Sequence, residues 1–266
     1  NLDAQGQQTE TPEAWNIHER LKPLTPRVSV VIENRKVQIR AWRYDAVGVT
    51  GTTVPVIYLD TDMAGNDKQD RQLTQYLYGG DSHYRLCQEY VLGVGGVRML
   101  RALGHKAIER FHMNEGHAAF LVVELLDEER GAGRGGKIKP QHIEAVRNKC
   151  VFTTHTPVPA GHDKFSMDLV RKVIGKHPVW AIQQKTDDDM LNMTHLALNF
   201  SNYVNGVSKK HGEVSQAMFS SYRVDAITNG VHAATWIAPP FQKLLDRYVP
   251  GWRMDNLNLR YAMGIP

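Results

Sequence analysis

The sequence has few cysteines, no long apolar run and no concentration of charge of one sign. Its two cysteines, Cys87 and Cys150, lie far apart without a CxxC spacing. This favours free buried thiols in a reducing compartment over a disulfide or a zinc site. No apolar stretch approaches the roughly 18 residues of a membrane span, and the first residues lack the charged and apolar regions of a signal peptide. We therefore expect a cytoplasmic protein without a membrane partner.

The charge pattern argues against nucleic-acid binding as well. The 266 residues include 32 basic and 28 acidic side chains, for a net charge of +4, and the two signs are interspersed. The apolar fraction of 42% and the charged fraction of 23% are ordinary for a soluble globular enzyme. The length suffices for one large domain or two modest ones. Because the sequence starts without Met, we expect a piece of a longer protein.

Short apolar runs alternate with helical patterns along most of the chain. Residues 28–44 alternate around a polar turn, which predicts a β-hairpin, and 54–59 predict a third strand. A single apolar helical face begins at Ser82 and stops at Gly104, a residue suited to the left-handed cap of a helix. Further strands are predicted at 108–111, 150–154, 204–207 and 226–228, and further helices at 118–129, 141–148, 190–203 and 208–219. This order predicts an α/β fold, a Rossmann-like parallel sheet with helices on both faces.

Polar clusters follow three of the predicted strands. The clusters are His112/Asn114/Glu115/His117, Thr154/His155/Thr156 and Thr228/Asn229/His232. Because parallel strands point the same way, these turns should gather along one edge of the sheet, where ligands bind in open α/β folds. His117, at the start of a helix facing that edge, is the histidine to which we assign a function.

A metal site built on His112, Glu115 and His117 is an alternative, with His155 or His162 as further ligands. However, the helical zinc motif needs two histidines four residues apart on one helix face. Here they are five apart across a turn, so we favour a hydrogen-bonded structural role for His112 and predict no metal.

Three other chemistries are weaker. The GxG at 93–95 falls in mid-helix and Arg98 occupies the third glycine position, which favours close helix packing over dinucleotide binding. No GxSxG motif is present, and neither cysteine has an obvious nearby base. Asp81 follows Tyr78-Gly-Gly80 and precedes a helix, so it is either a helix cap or part of a loop that approaches a ligand.

Taken together and in order, the motifs resemble those of α-glucan (glycogen/maltodextrin) phosphorylases, especially the short bacterial and archaeal type. The matching segments are DTDM at 60–63, DRQLT at 70–74, LYGGD at 77–81, RLCQE at 85–89, LGVGGVR at 92–98, HMNEGHAAF at 112–120, FTTHTPVPAG at 152–161, YVNGVS at 203–208 and TNGVH at 228–232. The chain resembles most of the N-terminal domain. The family's glycine-rich phosphate loop and its C-terminal domain have no match here.

The resemblance implies one half of a two-domain GT-B glycosyltransferase with an added β-hairpin region. Residues 1–60 would form a β-rich hairpin segment of the N-terminal domain, and 61–266 its Rossmann-like part. Such enzymes transfer the terminal glucosyl unit of an α-1,4-glucan to orthophosphate and give α-glucose 1-phosphate. They use pyridoxal phosphate held mainly by the C-terminal domain, so no cofactor-binding residue is predicted in this chain. The expected partners are the glucan, orthophosphate, the chain's own C-terminal domain and, in a homo-oligomer, a second copy.

The resemblance also implies roles for individual residues. His117 would be catalytic, with its side chain near O6 of the glucosyl unit and its backbone carbonyl favouring the transition state. Asp81 would also be catalytic, on a loop beside the donor site where it orders water and polar groups. Asn114 and Glu115 would shape the His117 turn and, with Asp81, contribute to substrate binding. Thr154, His155 and Asn229 would line the cleft or brace the strand ends. A stand-alone glucan-binding domain without catalysis remains an alternative, as does a metal-dependent hydrolase.

Overall fold

The computed structural model describes residues 5–8, 16–77, 80–131, 137–180 and 189–266. Nine strands form three sheets in these residues. They are β1 (Lys22–Ile32), β2 (Arg35–Val47), β3 (Thr53–Asp60), β4 (Phe111–Asn114), β5 (Cys150–Thr154), β6 (Lys164–Ser166), β7 (Met190–Asn192), β8 (Tyr203–Gly206) and β9 (Asp225–Ala226).

Helices connect and flank these strands. The α-helices are α1 (Ile17–Arg20), α2 (Lys68–Arg71), α3 (Ser82–Tyr90), α4 (Gly96–Ala102), α5 (Leu121–Arg130), α6 (Pro140–Arg147), α7 (Met167–Val173), α8 (Met193–Asn199), α9 (Lys209–Met218), α10 (Ala233–Trp236) and α11 (Pro239–Tyr248). A π-helix spans Val91–Gly95, and 3₁₀ turns span Gly116–Ala118, Pro159–Gly161 and Asn256–Gly264. In the described residues, no helix is long and apolar enough to cross a membrane.

The N-terminal sheet is antiparallel, in the order β1-β2-β3. Residues 28–44, where the sequence predicts a hairpin, lie in the β1–β2 pair. Glu33 and Asn34 connect the two strands with φ of +49° and +63°, the backbone that a tight two-residue hairpin requires. Val30, Ile32, Val37 and Ile39 on the inner face are fully buried, and they share one apolar core with the parallel sheet. The division of the chain at residue 60 therefore stays a prediction.

The second sheet is parallel, in the order β4-β5-β8-β9, which confirms an α/β fold. Strand β5 lies within the residues expected from sequence. Strand β4, in contrast, starts at the last residue of the predicted 108–111 strand and runs on through Asn114. Phe111 and Met113 alternate with exposed His112 and Asn114, and this two-residue period continues the ladder with β5. His112 and Asn114 are therefore strand residues rather than members of a turn.

The long helix predicted from Ser82 is continuous but contains the π-helical segment Val91–Gly95 in its middle. Gly93 lies there against the start of α5: a Cβ at this position would come within 2.6 Å of the Leu121 amide nitrogen. This confirms the prediction that the GxG serves close helix packing. The helix ends before Gly104, whose φ is +94°.

The prediction of one helix over 190–203 is wrong. Met190–Asn192 form strand β7, which pairs with β6, and Asn192 then caps α8 by accepting hydrogen bonds from the amides of Thr194 and His195 at 3.0 and 3.2 Å. An Asn side chain satisfies otherwise unpaired amides at a helix start, so the helix begins after it. The β6–β7 pair also positions Asp163, the residue just before β6.

Candidate functional site

His117 is held at the carboxyl end of β4. The strand ends at Asn114, and Glu115 leads into the 3₁₀ turn Gly116–Ala118. This turn packs closely on α8, because a Cβ on Gly116 would lie only 3.2 Å from the Met193 Cβ. The backbone around His117 is thereby fixed between two elements, and its side chain is 30% exposed.

The imidazole of His117 faces two carboxylates. Its Nδ1 lies 3.1 Å from Asp163 Oδ2 and 3.6 Å from Glu89 Oε1. Arg85 joins the same group, with Nη2 at 2.5 Å from Asp163 Oδ2 and 3.6 Å from Glu89 Oε1. Arg85 and Glu89 are one turn apart on α3, so a single helix face supplies both. We refer to Arg85, Glu89, His117 and Asp163 as the His117 cluster.

The cluster shifts the proton affinities of its members in different directions. The hydrogen bond to Asp163, and then the Glu89 carboxylate 3.6 Å from Nδ1, raise the pKa of His117 to about 9. Burial raises the pKa of Glu89 to about 7, and the neighbouring Asp163 charge adds to this effect. Hydrogen bonds from His117 and Arg85 overcome burial and lower the pKa of Asp163 to about 2. At neutral pH the cluster thus pairs an imidazolium and a guanidinium with an ionised Asp163.

Glu115 connects the ends of two neighbouring strands. Its Oε2 accepts hydrogen bonds from the His155 amide at 2.8 Å, the Thr156 amide at 3.1 Å and the Thr156 hydroxyl at 3.0 Å. Its backbone has φ +66° and ψ 173°, a region that residues other than glycine rarely adopt. The carboxylate therefore fixes the turn after β5 relative to the turn that carries His117.

His112 and Asn114 do not face the same partners as His117. His112 Nε2 lies 2.7 Å from Thr153 Oγ1, and that hydroxyl donates to Asn205 Oδ1 at 3.0 Å. This chain of side chains crosses β4, β5 and β8 and agrees with a structural role for His112. Asn114 is exposed on the last position of β4.

The other predicted site residues are distributed along the same sheet edge. Thr154 ends β5 and is completely buried, whereas His155 directly after it is exposed. Asn229 is also exposed, and its amide donates to the Val207 carbonyl at 3.0 Å, beside the end of β8. The predicted gathering of the three turns at one edge is confirmed by the parallel pairing and by these contacts. However, β9 is three strands from β4, so the end of β9 lies roughly 14 Å from the end of β4.

Asp81 caps helix α3. Its Oδ1 accepts a hydrogen bond from the Tyr84 amide at 2.9 Å. Glu89 follows eight residues later on the same helix, so Asp81 is about 12 Å from Glu89 along the helix axis, whereas Arg85, the nearest member of the His117 cluster in sequence, is one turn away. Tyr78 and Gly79, on which the ligand-loop interpretation of Asp81 partly rests, lie outside the described residues.

The metal hypothesis based on His112, Glu115 and His117 is wrong. Their side chains point to different partners, and His162 also turns away, with Nδ1 2.8 Å from Thr194 Oγ1. In the described ranges, the group whose ligand atoms lie within 4.8 Å of one another is Glu89, His117 and Asp163.

Sequence reasoning did not identify Arg85, Glu89 and Asp163 as site residues. The four-residue spacing of Arg85 and Glu89 is typical of an ion pair on one helix face and does not point to a site. No local sequence pattern points to Asp163, because its proximity to His117 depends on the pairing of β6 with β7.

No protein-family model matches the chain, but curated relatives do. It is 36% identical to the maltodextrin phosphorylase of Thermococcus litoralis over 93% of this chain and 31% of that protein. It is 37% identical to the glycogen phosphorylase of Mycobacterium tuberculosis over 72% of this chain and 25% of that protein. The glycogen phosphorylase of Aquifex aeolicus is 31% identical over 94% of this chain and 37% of its own length. The chain thus spans about a third of these relatives and is a homologue of the maltodextrin and glycogen phosphorylases.

Proposed function

We propose that this chain is part of a glucan phosphorylase with the GT-B architecture. The enzyme would transfer the terminal glucosyl unit of an α-1,4-glucan to orthophosphate and release α-glucose 1-phosphate. Relatives named maltodextrin and glycogen phosphorylase support this reaction. The observation that carries the proposal is the placement of His117 at the carboxyl end of a parallel sheet, held by charged side chains from two other segments.

In this proposal His117 and Asp81 are the catalytic residues of the chain, and His117 makes the contact with the glucosyl unit. Its imidazolium would donate a hydrogen bond to the glucosyl unit, and a fixed dipole or charge aimed at developing charge is a large catalytic effect. His155 and Asn229 are exposed at the same edge and suit substrate contact, as does Asn114. Thr154 is buried, so it would brace the strand end, and Glu115 would hold the two turns together. Asp81 would border the donor site from the start of α3.

The cofactor would be held elsewhere. Pyridoxal phosphate needs a lysine for its Schiff base and cationic groups for its phosphate. The described residues around His117 are two carboxylates, Glu89 and Asp163, and a guanidinium already bound to Asp163. This set does not fit the cofactor.

A second domain of the same protein is the proposed partner. The C-terminal segment has a small core of its own, formed by Ala233, Leu245, Val249 and Trp252. Large apolar side chains around that core are exposed: Trp236 by 78%, Phe241 by 63%, Leu257 by 70% and Met263 by 94%. Exposed large apolar side chains in one segment support a contact with further protein. A homo-oligomer is a second proposed assembly.

The proposed location is the cytoplasm. The buried free cysteines Cys87 and Cys150 support it, because thiols stay reduced there.

Phosphorolysis assays test this division of labour. The 266-residue chain, incubated with maltodextrin and orthophosphate, should form no glucose 1-phosphate, while the longer protein that contains it should. Activity of the 266-residue chain alone would contradict the proposal. Glucan binding by a longer protein without phosphorolysis would instead support the stand-alone binding domain.

Substitution of His117 tests its role in the longer protein. His117→Ala should lower turnover by about 100-fold or more, because a fixed contact with the transition state is lost. His105→Ala is the matched control, since His105 is an exposed histidine after α4. His155→Ala distinguishes the two histidines at the sheet edge. A near-normal rate for His117→Ala would refute its role.

A further inference from the structure

Glu89 is a buried carboxylate that the proposed reaction does not use. Its exposed fraction is 4%, and neither of its oxygens has a hydrogen-bond partner in the part of the chain that the structure describes. Burying a carboxylate without compensation is costly, so such groups occur beside opposite charges. The cations near Glu89 are His117 and Arg85, each 3.6 Å from Oε1.

Asp163 faces the same ring nitrogen of His117 as Glu89 does. Its Oδ2 is 3.1 Å from His117 Nδ1, and Arg85 Nη2 binds this oxygen. A carboxylate at this distance requires a proton on Nδ1, because two acceptors would repel each other. A neutral imidazole carries one proton. If that proton is on Nδ1, bound to the carboxylates, Nε2 can only accept a hydrogen bond.

We propose that Asp163 and Glu89 are positioning residues that keep His117 as an imidazolium, so that the ring acts as a hydrogen-bond donor at both nitrogens. Two carboxylates within 4 Å stabilise the charged form over the neutral one. His117 would then meet its ligand, an electron-rich oxygen of a sugar or phosphate, as a cationic donor rather than as a general base. This inference deepens the function proposed above and rests on it for the identity of the ligand.

The carboxylates of Asp163 and Glu89 both face Nδ1 of the His117 ring. Besides Arg85 and Glu89 from α3 and Asp163 before β6, the elements packed on the His117 turn carry His112 and His195. His112 is turned to Thr153, and His195 packs edge-on against Phe219 at 5.9 Å between ring centres. Arg85 Nη2 lies 3.6 Å from Glu89 Oε1 and 2.5 Å from Asp163 Oδ2, so a second cation faces both carboxylates.

Nuclear magnetic resonance of the 266-residue chain tests the proposal directly. Imidazole-labelled protein is titrated with acid and base, and the His117 signal is identified by its loss in His117→Gln. The ¹⁵N signals should show both ring nitrogens protonated at pH 7.5. Asp163→Asn should lower the His117 pKa by about 1–3 units, since it removes an opposite charge in contact with the ring. Glu89→Gln should lower it by less, because Glu89 is farther away.

Two control variants remove exposed carboxylates outside the His117 cluster. They test whether the change in the His117 pKa is specific to Asp163 and Glu89. Asp168→Asn removes an aspartate whose side chain is 92% exposed, and Glu213→Gln a glutamate that is 67% exposed. Neither should move the His117 titration. A His117 that titrates near or below 6.5 in the wild-type chain would overturn the proposal. So would a pKa that is unchanged in Asp163→Asn, provided that its circular dichroism matches the wild type.

Two further measurements complete the test. Zinc chloride at pH 7.5 should leave the His117 signals unchanged; binding that disappears in both Glu89→Gln and Asp163→Asn would show a metal site and overturn the proposal. In the longer protein, Asp163→Asn should shift the pH profile of kcat/KM to lower pH. Absence of phosphorolysis in the wild type would refute the proposed function, while the titration would still decide the state of His117.

Discussion

Glu115 offers a stability prediction that separates side-chain bonding from backbone strain. Glu115→Ala removes the carboxylate that accepts three hydrogen bonds at 2.8–3.1 Å from residues 155 and 156. Hydrogen bonds to a charged group contribute about 1.5–3 kcal/mol each, and partial exposure places these at the low end. We expect Glu115→Ala to lower the free energy of unfolding by about 4.5 kcal/mol, the sum for three such bonds.

Glu115→Gly removes the same carboxylate but also relieves the backbone. The φ of +66° with ψ of 173° costs a residue with a Cβ about 1–3 kcal/mol, and glycine avoids this cost. Glycine also makes the unfolded chain more flexible, which opposes the gain by up to about 1 kcal/mol. The free energy of unfolding of Glu115→Gly should therefore be about 1 kcal/mol higher than that of Glu115→Ala.

Urea unfolding followed by circular dichroism measures both variants. Glu144 is the control, because it is exposed within helix α6, where glycine is about 1 kcal/mol less stable than alanine. The glycine variant should thus have the higher free energy of unfolding at position 115, and the alanine variant at position 144. If Glu115→Gly is no more stable than Glu115→Ala, the argument from backbone strain is refuted.

Two further predictions concern packing and pH. Gly93→Ala should lower the free energy of unfolding by about 1–3 kcal/mol, because its Cβ would come within 2.6–2.7 Å of residues 120 and 121. Gly96→Ala, whose nearest contact is Leu59 Cδ1 at 3.9 Å, should be neutral or stabilising by up to about 1 kcal/mol, and urea unfolding of both variants checks this contrast. The raised pKa of His117, about 9 against a usual 6.5, stabilises the fold fully below pH 6.5, and this stabilisation is lost as the pH rises through 9. The raised pKa of Glu89 makes stability fall earlier, between about pH 4.5 and 7. Unfolding measured from pH 5 to 9.5 should lose about 2 kcal/mol above pH 6.5, and His117→Gln should lose much less there; an equal loss would contradict the assignment.

Local patterns were sufficient for much of the fold. The alternation of residues 28–44 placed the hairpin strands, and the apolar face from Ser82 placed the long helix, because both depend on neighbours in sequence. Strand β4 was misplaced by about three residues. Its apolar run ends at Phe111, yet pairing with β5 extends the strand through Asn114. The helix predicted over 190–203 was shortened by a strand that depends on a distant partner, β6.

The sequence by itself determined the α/β class, the gathering of polar turns at one sheet edge, and His117 as the residue to examine. Only the tertiary structure brought Glu89 and Asp163 to that histidine and separated it from His112 and Glu115. The physical reason is that a strand end fixes which edge a residue reaches, whereas its charged neighbours come from helices and loops packed over that edge. Those contacts set whether the imidazole of His117 is neutral or charged.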